Sequence, residues 1–159
     1  MTAVGRDKSS PTADLVDDYL DRAAPLGRGL GIDGPTLNVV EAPKALRGSE
    51  RQAREAGLLL DAVPPGEGII LLDERGKNLT SRALADRIAR SRDSGVPGLR
   101  FLIGGADGFG GDLSVNHPRV EGAISFGAAV WPHMLCRVML AEQLYRALTI
   151  LAGHPYHRD

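Results

Sequence analysis

Apolar residues along the chain fall in short runs separated by longer amphipathic stretches. Leu37–Glu41 (LNVVE), Ile69–Asp73 (IILLD), Leu99–Ile103 (LRFLI) and Ala123–Phe126 (AISF) are aliphatic or β-branched runs with Gly or Pro close on either side. Runs that are apolar on both faces predict strands of a parallel sheet covered by helices. Ala3–Gly5 predicts the stub of one more strand. Between these runs the period changes. Pro11–Ala24 sets Leu15, Tyr19 and Leu20 against Asp14, Asp17, Asp18 and Asp21. Ser49–Ala62 carries Ala53, Ala56, Leu59 and Leu60 at helical spacing, and Thr80–Ser94 opens with Thr80 or Ser81 as a cap ahead of Leu84, Ala85 and Ile88. Pro132–Leu151 is the longest. Its stripe of Leu135, Val138, Ala141, Tyr145 and Leu148 is widened by Met139, Leu140, Leu144, Ala147 and Leu151, so that helix is expected to pack on two sides, one of them against another subunit. The alternation predicts one α/β domain over 1–159, a three-layer sandwich with a mainly parallel sheet. The Gly-rich segment 107–121 predicts neither helix nor strand.

Composition narrows the classes. At 159 residues, 43% hydrophobic and 25% charged, the chain is in the globular range. A net charge of −1 provides no global basic field for nucleic acid, and 4% aromatics argue against a base-stacking platform. Sixteen of the 19 basic residues are Arg, which suits planar, bidentate contacts with carboxylate or phosphate. The single cysteine, Cys136, excludes an intramolecular disulfide and a multi-cysteine zinc site. The opening MTAVGRDKSS lacks the apolar core of a signal peptide, and the longest uncharged run, 122–136, is too short to span a bilayer. A cytoplasmic protein is expected, with no membrane and no metal.

Candidate chemistry gathers where strands end, because ligands of open α/β sheets bind beyond the carboxyl ends of strands. Three such ends stand out: Leu72-Asp73, Gly104-Gly105 and Gly127–Trp131. The stretch LIGGADGF (102–109) lacks the Gly-Lys-Ser/Thr ending of a P-loop and the GxGxxG spacing. It reads as a tight turn or as a close backbone approach to a ligand. His133 follows Trp131-Pro132 at a predicted helix start, where the helix dipole disfavours a charged imidazole and leaves a neutral ring able to take a proton. The ending His154–Asp159 (HPYHRD) is dense in donors and acceptors, and it follows Gly153, a helix-stop residue.

These stretches carry a resemblance. LLDERGK (71–77), LIGGADGF (102–109) and WPHMLCRVMLAEQLYRALTILAGHPYHRD (131–159) closely resemble the RlmH family, the ribosomal RNA large-subunit methyltransferase H proteins of the SPOUT class. The resemblance implies a C-terminal trefoil knot, a homodimer and S-adenosylmethionine as methyl donor. It implies methylation at N3 of a pseudouridine in helix 69 of 23S rRNA on the assembled ribosome. By position it implies cofactor binding through Leu72, Gly105, Phe126, Gly127, Ala128, Ala129, Val130 and Trp131. It implies a substrate end formed by His133, Tyr156 and Arg158, with the tail of one subunit reaching the neighbour's cofactor pocket. Against this stand two other readings: a non-catalytic ribosome-binding or assembly module of the same fold, and a nucleotide-binding domain unconnected with methylation.

Overall fold

A computed structural model describes residues 1–7, 9–111 and 113–157. Two compact units are present. The first comprises Met1–Arg6, Leu37–Asn78 and Val96–His133, and the second Asp7–Thr36, Leu79–Gly95 and Met134–Asp159.

The first unit holds strands β1 (Thr2–Val4), β2 (Asn38–Val40), β3 (Gly68–Asn78), β4 (Leu99–Ile103) and β5 (Val120–Ser125), with helix α2 (Gly48–Asp61). All five strands are parallel, in the order β2-β1-β4-β3-β5. The central run Ile69–Leu71 is buried to within 1% of completely, as a strand apolar on both faces requires. Ala56 and Leu59 of α2, with Val63 just beyond it, pack onto Val4, Ile69, Leu71, Leu102 and Leu113. Each large side chain buried in this way contributes about 1.5–3 kcal/mol. Arginines pin the amino-terminal side of the sheet. Arg100 grips Glu67 through two bonds of 2.9 and 3.0 Å, and Arg119 donates to the carbonyls of Val63 and Pro64 at 2.9 and 2.8 Å.

The second unit holds α1 (Pro11–Gly29) and α3 (Ser81–Asp93) and nearly all of α4 (His133–Leu151), which starts at the last residue of the first unit. Ser10 caps α1 and Thr80 caps α3 through side-chain oxygens. Within this unit Ala23 of α1 packs against Tyr145 and Leu148 of α4, with Tyr19, Leu26, Leu30, Ile32 and Tyr156 around them. Leu140, Ala141, Leu144, Ala147 and Leu148 of α4 are all buried, and so are Arg137 and Thr149. That spread covers more than one face of the helix. Burial pulls the Arg137 guanidinium below its ordinary value, against the opposing charge of Asp7.

Three boundaries differ from the pattern reading. Helix α1 runs on through Pro25 to Gly29, because one proline removes a single intrahelical donor while the amides of Leu30 and Ile32 close the end on Leu26 and Gly27. Strand β5 starts at Val120, ahead of its apolar run. Strand β3 continues past Leu72 through the polar sequence DERGKN, because β5 lies alongside to pair with it.

Candidate functional site

The register brings three of the sequence-selected strand ends together within the first unit. Leu72 of β3 lies opposite Ile103 of β4 on one side and Ile124 of β5 on the other. The turn that opens at Gly104 and the turn that opens at Phe126 therefore flank Leu72, where β4 and β5 end and β3 leaves its ladder. Leu72, Gly105, Phe126 and Gly127 are half-buried, whereas Ala128, Ala129, Val130 and Trp131 are exposed, Val130 at 82%. His133 follows as the first residue of α4 and is half-buried.

Each turn is wound from backbone. The Gly108 amide donates to the Gly105 carbonyl at 3.0 Å, and a Cβ on Gly104 would lie 3.0 Å from the Gly108 carbonyl group. A Cβ on Gly105 would lie 2.5 Å from a carboxylate oxygen of Glu55, a 4%-exposed residue of α2 held by Arg51 at 2.8 Å. Gln52, one helical turn before Ala56, donates to the Asp107 carbonyl at 2.6 Å. Helix α2 thus forms the seat of the 104–111 loop. At β5 the Ser125 hydroxyl donates to the Gly127 carbonyl and accepts the Gly127 amide, both at 3.1 Å, and Gly127 holds φ at +102°. The β-ladder between β3 and β5 skips between Leu72 and Lys77, both of which meet Ile124. Gly76 closes that excursion. A Cβ there would lie 2.5–2.6 Å from backbone atoms of Ile124, so only glycine fits. Asp73 accepts the Arg75 amide at 2.9 Å and shapes the exposed part of the same loop.

These strand ends offer bare backbone at glycines, the half-buried apolar side chains of Leu72 and Phe126, and a buried carboxylate behind Gly105. Backbone N–H and C=O groups can read a heterocycle edge while apolar side chains cover its face. That donor set fits an adenosine-bearing ligand. Among the described residues no group of three or more His, Cys, Asp or Glu is placed to hold a metal ion, and no helix is long and apolar enough to cross a membrane.

Tyr156 lies in the second unit. Its ring stands edge-on to Tyr145 at 4.7 Å between centroids, and its hydroxyl donates to Glu142 at 3.2 Å. Burial lifts the Tyr156 hydroxyl above its ordinary value, the negative Glu142 adds to the rise, and Arg146 opposes it. At neutral pH the group is a proton donor and not a base. Arg158 lies outside the described residues. The pattern reading missed Gly76, Glu55 and Glu142. Both carboxylates carried a sequence signal, the i,i+4 ion-pair spacing of Arg51–Glu55 and of Glu142–Arg146.

Residues 1–157 match a family described as "Predicted SPOUT methyltransferase". The chain is also similar to curated proteins named "Ribosomal RNA large subunit methyltransferase H". It is 53% identical to that of Dinoroseobacter shibae, covering 99% of this chain and 97% of the relative. It is 52% identical to that of Paracoccus denitrificans, over 100% and 97%, and 48% identical to that of Xanthobacter autotrophicus, over 99% and 97%.

Proposed function

Because the chain belongs to the SPOUT methyltransferase family, we propose that it is an S-adenosylmethionine-dependent enzyme that methylates N3 of a pseudouridine in helix 69 of 23S rRNA within the assembled ribosome. One observation carries the reading: Leu72 sits between Ile103 and Ile124, so the Gly105 turn and the Phe126–Trp131 turn open on either side of it. Full-length similarity to relatives named for ribosomal RNA methylation supports the substrate. The near-neutral net charge suits an enzyme that recognises a shaped ribosomal surface more than free RNA. The reading includes a single cytoplasmic domain over 1–159, with three-layer packing and the knotted C-terminal part that the family resemblance implies.

S-adenosylmethionine, when bound, supplies a methyl group already activated on sulfur. Leu72, Phe126 and the backbone at Gly105 and at Gly127–Trp131 would hold its adenosine part. His133, at the amino end of α4, accepts the imide proton that leaves N3. Arg158 stabilises negative charge on the flanking carbonyl oxygens. Tyr156 stays protonated and serves the tail that carries Arg158. Positioning supplies most of the rate, since the donor needs no further activation.

The protein acts as a homodimer in this reading, one subunit's tail serving the other's cofactor loops. The exposed apolar residues Val130, Trp131 and Leu135, close together in sequence around the start of α4, support a covered surface there. The deciding experiment is mass spectrometry of helix 69 from cells lacking the gene, beside methyl transfer by the purified protein to ribosomes from those cells. Loss of the methyl group and its restoration are expected. A pseudouridine still methylated in the deleted strain sinks the proposal.

A further inference from the structure

The C-terminal tail is tied to α4 by a network of side chains, all within the second unit. Oε1 of Glu142 accepts the Tyr156 hydroxyl at 3.2 Å and Nε of Arg146 at 2.9 Å. Its Oε2 accepts Nε2 of Gln143 at 2.7 Å, and the Gln143 carbonyl oxygen accepts the Ser81 hydroxyl at 2.8 Å. The Tyr156 ring is sandwiched by charge as well. The Arg146 guanidinium stands 4.9 Å from its centroid, and Arg22 stands 5.6 Å from it and 4.4 Å from that of Tyr145. Ring and hydroxyl together fix Tyr156 against α4. A solvated tail needs none of these bonds; a tail that must deliver a side chain to a fixed point needs all of them.

We propose that Glu142 is a positioning residue of the reaction: its carboxylate latches Tyr156 to α4 and thereby holds the tail in place. The inference rests on the methyl-transfer reading above, in which the tail acts on substrate. In this reading Glu142 acts through Tyr156, and Tyr156 through its place in the network.

The test uses the full-length protein and three variants: Glu142→Ala, Tyr156→Phe, which keeps the ring and deletes the hydroxyl, and the double variant. Turnover on ribosomes from a strain lacking the gene is expected to fall on the order of tenfold in each single variant, as for loss of a hydrogen bond to a charged group. The double variant should lose little more, because both changes cut one link. Affinity for S-adenosylmethionine by calorimetry should stay within about twofold, since in this reading the cofactor loops belong to the first unit and both changes to the second. Glu142→Gln, which keeps an acceptor oxygen, should restore much of the lost turnover. Hydrogen exchange of the peptide spanning residues 152–159 should quicken in both single variants. Unchanged turnover in either single variant beside an active parent, losses that multiply in the double variant, or unaltered exchange of that peptide each overturns the latch. A parent inactive on ribosomes defeats the methyl-transfer reading instead, and the exchange measurement then still decides whether Glu142 holds the tail.

Discussion

The rim of the first unit is made of backbone, and the tail cluster of the second unit is made of side chains. At Gly76, Gly104 and Gly105 the space that a Cβ would take is already filled by neighbouring backbone or by Glu55. Around Tyr156 two further tyrosines, two arginines and a carboxylate do the holding, with two ring–ring contacts and four cation–ring contacts among them. The first construction fixes shape and is intolerant of added volume; the second fixes direction and is intolerant of lost chemistry.

Substitutions can break this contrast in order of effect. Gly76→Ala is the most severe, because its Cβ meets the backbone of Ile124, which cannot rotate away. We expect a loss of about 3 kcal/mol or more in urea unfolding, the upper range for forced overpacking, together with loss of cofactor binding by calorimetry. Wild-type stability in this variant would show that the β3 excursion is not pinned. His133→Ala comes next. Turnover should fall about 100-fold, the low end for a missing proton acceptor, while cofactor affinity holds. A parallel fall in affinity would move His133 from the reaction to the binding loops. Gly105→Ala should weaken cofactor binding about tenfold, and Glu55→Ala introduced alongside should recover part of that loss, because the two sites share one space. Independent, additive effects would mean that Glu55 does not seat the loop.

The smallest effect concerns alkaline pH. Burial, then the Glu142 charge, raise the Tyr156 hydroxyl above its ordinary value. The folded chain therefore keeps that proton to a higher pH than the unfolded chain does. The stability this contributes is complete below the unfolded tyrosine value of about 10 and is lost as pH rises through the folded value. Thermal unfolding of the parent should thus fall more steeply above that pH than unfolding of Tyr156→Phe. Parallel curves would place the hydroxyl in water.

Much of the fold was legible because local pattern and tertiary placement agree. LRFLI, between Gly98 and Gly104, forms β4 with the expected bounds, and Thr80 caps α3 as its position before an apolar period predicts. The strand ends chosen from Leu72, Gly105 and Phe126 are neighbours because parallel strands present the same end to the same side. The rest depends on partners that sequence does not display. DERGKN is polar and reads as loop, yet β3 runs on through it because Lys77 and Asn78 rejoin the ladder with β5. Gly76 is one glycine among 20 until Ile124 is seen against it. Glu142 and Tyr156 stand 14 residues apart, and nothing in that spacing announces that the tail folds back on α4.

Ile124 is met twice, by Leu72 before the excursion and by Lys77 after it, so residues 73–76 leave the ladder and rejoin it at the same rung. Elsewhere in a sheet, one residue gained or lost turns every following side chain to the opposite face. Here a change of length shifts no rung on either side. With Gly76 kept against Ile124, residues 73–75 are thus a place where evolution, or an engineer, can remodel what projects beside Leu72 without renegotiating the architecture beneath it.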